Sequence, residues 1–361
     1  MDFRFKRITI KIGSNVLARP DGTLDVTRMS SLVDQVSFLR KSGIEVIMVS
    51  SGAVASGRSE LKTTKKLDSI AGRQLFSSVG QVKLINRYYE LFRDHNIYVG
   101  QILTTKENFS TRRHYLNQKN CMSVMIENGV IPIVNENDTI SVTELMFTDN
   151  DELSGLIASM MNSEVLIILS NIDGIYNGNP SDPESEVIRD IYNDKKQDLS
   201  GFIQPQKSNF GRGGMLTKST IAKKVANEGI EVIIANGKKD NILIDLLKKE
   251  SDTICTRFHA SDKPISDVKK WIAHSDLFAK GELHINERAF KALSGPLATS
   301  LLPVGVEKIE GEFEKDDIVK ILYKGESIGV GKVSTDSAKA TESIGIQGSK
   351  PLIHYDYLYL D

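Results

Sequence analysis

Two short stretches near the start of the chain decide the fold, ITIKIG at residues 8–13 and IEVIMV at residues 44–49. Both are rich in β-branched residues and predict strands, the first of which ends at Gly13. Between them, apolar residues recur at helical spacing over residues 27–42, and Gly43 is well suited to end that helix. The three segments together predict a β–α–β unit with parallel strands.

The same alternation continues through the first two-thirds of the chain. It predicts helices near 70–93, 111–128, 151–161 and 217–228, and strands near 97–103, 130–134, 165–169 and 230–235. Nearly continuous apolar strands between amphipathic helices predict an α/β fold, in which helices sandwich a mostly parallel sheet.

The character of the sequence changes after about residue 258. Residues 259–277 mix polar residues with a proline and the single tryptophan, which is typical of a linker. From Gly281 onward, short strand-like pieces between glycines and prolines predict a small β-rich, barrel-like domain. Because 361 residues exceed the roughly 250–300 that one core organises, we expect domains at 1–258 and 278–361, joined by a linker at 259–277.

The composition excludes several classes of protein. Lysine and arginine (46) nearly balance aspartate and glutamate (47), whereas a protein that coats nucleic acid normally carries a basic excess. Two cysteines are too few for a disulfide framework, and no apolar run approaches the ~18 residues of a membrane span. The six histidines show no metal-ligand spacing. We therefore expect a cytoplasmic protein that has no membrane partner and does not act on nucleic acid.

Chemistry is expected at the carboxyl ends of the strands, where open α/β sheets bind ligands. Lys11 lies inside an apolar strand, which is costly unless its ammonium meets an anion, and Gly13 lets a ligand approach the backbone. The alternative is a lysine at an exposed strand edge. Ser51-Gly52 after the second strand could direct free N–H groups at an anion, or could form an ordinary glycine turn.

Two polar clusters follow later segments. Asn135-Glu136-Asn137-Asp138 comes directly after an apolar strand and suits binding of an amino-acid ammonium or a metal-bound group. A solvated loop with a helix cap is the alternative. Asp149-Asn150-Asp151 precedes a helix, and Asp149 or Asn150 could be only its N-cap. A third polar cluster at the same sheet edge favours a site.

The most informative stretch is FGRGGMLTK at residues 210–218. Three glycines lead into a helix that carries Lys218 in its first turns. A cation there is repelled by the positive end of the helix dipole, and an anion bound nearby would explain its placement. A glycine nest, a helix N-terminus and a lysine together can hold phosphate, and a flexible hinge loop is the alternative. The chain contains neither a Walker A spacing nor the protein-kinase signatures.

With these motifs in this order, the chain resembles the amino acid kinase family, and residues from about Gly281 onward resemble a PUA domain. The resemblance rests on Lys11 with Gly13, Ser51-Gly52-Ala53, residues 134–138, Asp149-Asn150-Asp151, and Gly213-Gly214-Met215-x-Thr217-Lys218. It covers nearly the whole chain. It implies a kinase that transfers the γ-phosphoryl group of ATP to the side-chain carboxylate of L-glutamate, the first step of proline biosynthesis.

The resemblance also implies a role for each matching residue. Lys11 and Lys218 would bind phosphates, and Asp151 would lie between them and orient them. The implied glutamate-binding residues are Ser51, Gly52, Asn135, Asp138, Asp149 and Asn150. The implied nucleotide-binding residues are Lys11, Ser170, Asn171, Arg212, Gly213, Gly214, Met215, Leu216, Thr217 and Lys218. Mg²⁺ would be held mainly by the ATP phosphates and water, with no protein metal site. Proline as a feedback inhibitor and a homo-oligomer, dimer or tetramer, are further expectations from the family.

Two positions depart from the family pattern. Ser170-Asn171 stands where Thr-Asp is common, so an amide replaces a carboxylate and accepts a weaker hydrogen bond. Arg212 stands where threonine is usual, and its guanidinium could contact phosphate or point to solvent. Both departures concern the affinity and specificity for the nucleotide.

Other functions stay open at this point. Kinases of the same fold act on aspartate, acetylglutamate, carbamate or a nucleoside monophosphate. A different class is an RNA-binding protein, because PUA domains elsewhere bind RNA. Residues 278–361 carry nine lysines and one arginine against five aspartates and eight glutamates. This acidic excess disfavours binding of a polyanion.

Overall fold

The computed structural model describes residues 2–61, 67–141, 147, 149–192, 214–262, 265–295 and 298–360. Its contacts divide the chain into two compact units, one formed by Met1–Asn108 with Leu116–Pro264 and the other by Phe109–Tyr115 with Ile265–Asp361. The domain boundaries expected from the composition stay predictions.

Strands and helices alternate along the first 262 residues. The strands are β1 (Arg7–Ile12), β2 (Glu45–Ser50), β3 (Val99–Thr104), β4 (Ile131–Glu136), β5 (Val165–Ser170), β6 (Asp190–Ile191), β7 (Glu231–Asn236) and β8 (Thr256–Phe258). The helices are α1 (Ser14–Leu17), α2 (Val26–Lys41), α3 (Ala53–Glu60), α4 (Ser69–Arg93), α5 (Glu107–Ser110), α6 (Arg112–Glu127), α7 (Asn150–Met160), α8 (Met215–Asn227) and α9 (Ile242–Leu247).

The strands pair in the order β3-β4-β2-β1-β5-β7-β8-β6. Strand β1 lies parallel between β2 and β5, and β8 runs antiparallel to β7. The chain leaves β1 for β2 on one side and later returns to β5 on the other side. This reversal places a ligand-binding crevice at the carboxyl ends of β1 and β5. The predicted mostly parallel sheet is confirmed.

Burial on both faces explains why the sequence of strand β5 is almost entirely apolar. All its residues are buried, and successive side chains enter two different cores. Ile167 and Leu169 pack in the core that includes β1, whereas Leu166 and Ile168 pack in the core that includes α8 and β7. Alternating side chains of a strand point to opposite faces, so a sheet that is covered on both sides requires apolar residues throughout.

Strand β3 begins two residues later than its apolar pattern predicts, at Val99. The turn that ends α4 uses the intervening residues: Asn96 has a positive φ of 58°, and the Ile97 amide donates to the Phe92 carbonyl at 3.1 Å. Asparagine tolerates this left-handed conformation better than most residues. The apolar Ile97 therefore belongs to the end of the helix and not to the strand.

Helices α3 and α4 approach closely enough for their backbones to touch. A Cβ atom on Gly57 would lie 1.8 Å from the Phe76 carbonyl oxygen, and one on Gly80 would lie 1.8 Å from that of Ala53. These glycines permit the close packing. The contact positions α4, whose polar side chains reach the residues at the end of β4.

The C-terminal part of the chain is β-rich, as expected. Its strands are β9 (Gly281–Ile285), β10 (Val306–Glu310), β11 (Ile318–Tyr323), β12 (Glu326–Lys332) and β13 (Leu358–Leu360), and its helices are α10 (Asp267–Ala273), α11 (Glu287–Leu293) and α12 (Ser337–Glu342). The strands pair in the order β10-β9-β11-β12-β13 around a core of their own.

Among the helices that the structure describes, none combines the length and the apolar character required to cross a bilayer.

The close packing of α3 on α4 makes a testable prediction. Gly80→Ala should lower the free energy of unfolding by roughly 1–3 kcal/mol or more, because its methyl group overlaps a backbone carbonyl that cannot move away alone. Gly72→Ala on the same helix is the control, since its Cβ would meet only side-chain atoms, at 3.6 Å and beyond. That change should be neutral or stabilising, because alanine is the better helix former. Urea unfolding of both variants measures the difference, and equal costs would contradict the packing argument.

Candidate active site

Two buried lysines share one buried aspartate at the carboxyl edge of the sheet. Lys11 comes from β1, Asp151 from the first turn of α7, and Lys218 from the first turns of α8. The Lys11 Nζ lies 2.6 Å from Oδ1 of Asp151, and the Lys218 Nζ donates to Oδ2 at 2.8 Å. Residues far apart along the chain thus meet in one place, because β1 ends there and α7 and α8 begin there.

Within this trio, one buried carboxylate faces two buried ammonium groups. Burial by itself would raise the pKa of Asp151, but the two ammonium groups outweigh it and hold that pKa at about 2. Asp151 is fully buried, and Lys11 and Lys218 are 5% and 8% exposed. The charge of the neighbouring Asp149 also acts on both lysines, so two carboxylates and two ammonium groups lie together with little access to water. Two ammonium groups at this edge of the sheet can bind an anionic group.

Asp149 holds the start of α7. Its Oδ1 accepts hydrogen bonds from the amides of Asp151 and Glu152, at 2.8 and 3.1 Å, so it is the N-cap of the helix. Burial, with the charge of Asp151 beside it, raises the pKa of Asp149 to about 6. The cap fixes the position of the two residues that follow it, and a contact between Asp149 and substrate stays a prediction.

The predicted nucleotide-binding residues lie on both sides of the crevice. The Gly13 amide donates to the Leu169 carbonyl at 3.2 Å, and a Cβ on Gly13 would lie 3.5 Å from the Lys11 Nζ. Ser170 ends β5 and its hydroxyl donates to Asn171 Oδ1 at 3.5 Å. On the other side, Gly214 is the N-cap of α8, and Met215, Leu216 and Thr217 form its first turn. Arg212 and Gly213 lie outside the described residues.

Three of the predicted glutamate-binding residues, Ser51, Asn135 and Asn150, form a connected polar chain. Asn150 donates through Nδ2 to Ser51 Oγ at 2.9 Å and to Asn135 Oδ1 at 3.0 Å. Asn135 in turn donates to Gln81 Oε1 of α4 at 2.8 Å. Among the described residues, the buried Oδ1 of Asn150 accepts no hydrogen bond. This oxygen can accept one from a substrate ammonium.

Gly52 begins helix α3 in a conformation that favours glycine. Its φ is 110°, and its backbone forms the N-cap of the helix that follows Ser51. A residue with a side chain would be strained there, so the backbone conformation alone explains why this position is glycine. Its predicted contact with substrate stays a prediction.

Asp138 lies in a cluster that the sequence did not reveal. Arg73 of α4 donates through Nε to Asp138 Oδ1 at 2.5 Å and through Nη2 to Glu136 Oε2 at 2.7 Å. Glu136 Oε1 also accepts from Ser141 Oγ at 2.8 Å and from the Phe147 amide at 2.9 Å. Burial raises the pKa of Asp138 to about 6, with Arg73 opposing the shift and Glu136 adding to it.

Arg73, Glu136 and Gln81 are the site residues that sequence reasoning missed. A signal for Arg73 was present: it lies in the first turns of α4, where a cation opposes the helix dipole, as Lys218 does in α8. Glu136 belongs to the polar cluster at residues 135–138, but nothing in the sequence distinguishes its role from the roles of its neighbours. Gln81 lies in the middle of a long helix, and only the packing of α4 gives it a partner at the end of β4.

The comparisons with known proteins show the family to which the chain belongs. The model of the amino acid kinase family matches residues 6–236, and that of the PUA domain matches residues 281–350. A Bacteroides thetaiotaomicron protein named glutamate 5-kinase is 70% identical over 362 aligned residues, which cover 100% of both sequences. A protein of the same name from Chlorobaculum tepidum is 45% identical and covers 99% of this chain and 98% of its own.

A solved structure supports the fold alone. It is that of carbamate kinase from Giardia lamblia bound to AMP-PNP, and it aligns with a TM-score of 0.51 at 16% identity. The alignment covers 71% of this chain and 99% of that one.

The bridging role of Asp151 predicts a large effect on stability. Asp151→Asn removes the countercharge of two buried ammonium groups and should lower the free energy of unfolding by about 3–5 kcal/mol at neutral pH. Asp149→Asn is the matched control, because asparagine caps a helix as well as aspartate does, and its cost should stay below ~1 kcal/mol. Denaturant unfolding of the two variants decides the matter. A loss in Asp151→Asn no larger than that in the control would contradict the bridge.

Proposed function

The chain belongs to the amino acid kinase family, and we propose that it transfers the γ-phosphoryl group of ATP to the side-chain carboxylate of L-glutamate. The products are L-glutamyl 5-phosphate and ADP, and the reaction opens proline biosynthesis. The observation that carries this function is the buried trio of Lys11, Asp151 and Lys218. It holds two ammonium groups beside a pocket of amides and carboxylates suited to an amino acid.

The chemistry requires alignment and charge neutralisation more than proton transfer. A glutamate side chain has a pKa near 4.3, so the attacking carboxylate is already ionised at neutral pH and needs no general base. One of its oxygens forms a bond to the γ-phosphorus while the bond from that phosphorus to the bridging oxygen of ADP breaks. Lys11 and Lys218 stabilise the negative charge on the phosphoryl oxygens and on the departing ADP.

Asp151 organises the two lysines for this task. Because its two oxygens face different ammonium groups, it keeps both cations at fixed positions before ATP arrives. Such preorganisation avoids rearrangement during the reaction. Mg²⁺ enters with the phosphates of ATP as part of the nucleotide substrate, and it commonly keeps waters and phosphate oxygens as ligands. Asp151, engaged by both lysines, is not needed as its ligand.

The other end of the pocket binds the amino acid. Asp138 supplies a carboxylate for the α-ammonium group, and Oδ1 of Asn150, which accepts no hydrogen bond from the described residues, can accept a second one from it. Ser51 and Asn135 hold the Asn150 side chain in place. Feedback inhibition by proline, assembly into a dimer or tetramer, and a cytoplasmic location stay predictions from the family.

The first test is ADP formation from ATP and Mg²⁺ with and without L-glutamate. We expect glutamate to be required, and aspartate, N-acetylglutamate, carbamate and UMP to support little turnover. Lys11→Ala or Lys218→Ala should lower kcat by about 10²–10³-fold, because each removes a charge that stabilises the transition state. Each variant leaves Asp151 paired with the other lysine, so folding should persist. The exposed Lys249→Ala is the control, and near-normal turnover in both active-site variants would refute their role.

Substrate binding should depend on the charge of Asp138. Because its pKa is raised to about 6, Asp138 is ionised above that pH and becomes protonated below it. The KM for L-glutamate should therefore rise as the pH falls from about 7.5 to about 5, since a neutral acid attracts an ammonium group less strongly. Asp138→Ala and Asn150→Ala should mainly raise the KM for glutamate and leave that for ATP nearly unchanged. Unaltered glutamate kinetics in both variants would count against the assignment.

A further inference from the structure

Glu136 is a buried carboxylate next to the glutamate pocket that the proposed mechanism does not use. It ends β4, and its side chain is 5% exposed. One of its oxygens pairs with Arg73, and the other accepts hydrogen bonds from Ser141 and the Phe147 amide. These contacts fix the Glu136 carboxylate in place beside the Arg73 guanidinium.

Counted over the described residues, the cluster has one more carboxylate than cations. Arg73 supplies one cation, and Glu136 and Asp138 supply two carboxylates, all with side chains at most 14% exposed. The Lys106 ammonium lies 5.8 Å from the centroid of the Phe147 ring and pairs with Glu152 at 3.5 Å, so we do not count it with this cluster. If Arg73 and Asp138 stood alone, they would neutralise each other. Because Arg73 also pairs with Glu136, its positive charge does not fully neutralise the negative charge of Asp138.

We propose that Glu136 is a specificity-determining positioning residue, which engages Arg73 so that the pocket keeps a net negative charge and selects substrates with a free α-ammonium group. The inference rests on the proposed function and adds to it a physical reason for choosing an amino acid over a plain dicarboxylate. A dicarboxylate with the same carbon chain but no ammonium group meets this negative charge without compensation. Glutarate is that compound and is the probe for the test.

The geometry also separates this role from direct recognition of substrate by Arg73. Its Nε and Nη2 atoms already donate to two carboxylates of the protein, at 2.5 and 2.7 Å. A guanidinium that is fixed in this way is suited to tuning the charge of Asp138. A direct clamp on a substrate carboxylate would instead affect glutamate and glutarate alike.

The experiment compares the KM for L-glutamate with the inhibition constant of glutarate, in wild type and three variants. Glu136→Gln keeps the size and the acceptor oxygen but leaves Arg73 to neutralise Asp138. Arg73→Gln/Glu136→Gln removes the cation together with its balancing carboxylate and restores the net charge. Glu231→Gln is the matched control, a buried glutamate that pairs with Arg4 and Arg257 and begins β7, at the opposite end of the sheet.

We expect the preference for glutamate over glutarate to fall by about tenfold or more in Glu136→Gln, the typical effect of a weakened charged hydrogen bond. The double variant should recover to within roughly threefold of wild type, because Asp138 then stands alone with its charge. Glu231→Gln should retain the wild-type preference, and the KM for ATP should stay constant throughout.

Two outcomes would overturn the inference. One is an equal weakening of glutamate and glutarate in Glu136→Gln, which indicates a purely structural role. The other is a double variant that folds, judged by its KM for ATP, but shows no preference for glutamate. The double variant decides the question by itself if Glu136→Gln does not fold. Glutamate-dependent ADP release by the wild type tests the proposed function separately, so the two ideas can fail independently.

Discussion

The structure of the active site depends on one carboxylate that two ammonium groups share. Asp151 contacts Lys11 of the central strand and Lys218 of α8, and all three side chains are largely buried. A buried ion costs several kcal/mol unless it is paired, so the end of β1 and the starts of α7 and α8 must lie together for the fold to be stable. The same arrangement places two ammonium groups at one edge of the sheet. Stability of the fold and the phosphate recognition that we propose therefore have a common physical origin.

The two ends of the proposed pocket differ in their charged groups. One end holds the ammonium groups of Lys11 and Lys218, and the other holds two carboxylates, Glu136 and Asp138, with the single cation of Arg73. In the function that we propose, the side-chain carboxylate of the amino acid lies toward ATP and the lysines, and its ammonium group lies toward Asp138. Helix α4 makes the arrangement possible, because its glycine contact with α3 brings Arg73 and Gln81 to the end of β4. Specificity and helix packing are thus linked through α4.

Sequence reasoning found the larger elements of the fold to within about two residues, because long buried strands and amphipathic helices have strong periodicity. It did not find short elements such as α1, β6 and α9, whose few residues carry little pattern. For the site, it named Lys11 and Lys218 because a cation inside an apolar strand or at the start of a helix is costly unless an anion lies beside it. The contacts of Arg73 and Gln81 with the residues at the end of β4 link positions more than fifty residues apart, and no local pattern encodes such a contact.

The amino-acid sequence by itself determined the order of strands and helices and the chemical type of the groups at their ends. These properties depend on periodicity, turn residues and charge, which are local. Only the tertiary structure decided which of those groups meet. It brought Lys11 and Lys218 to one carboxylate and paired Glu136 with Arg73. Burial, charge balance and pKa values depend on distances between residues that are remote in sequence, and those distances exist only in the folded chain.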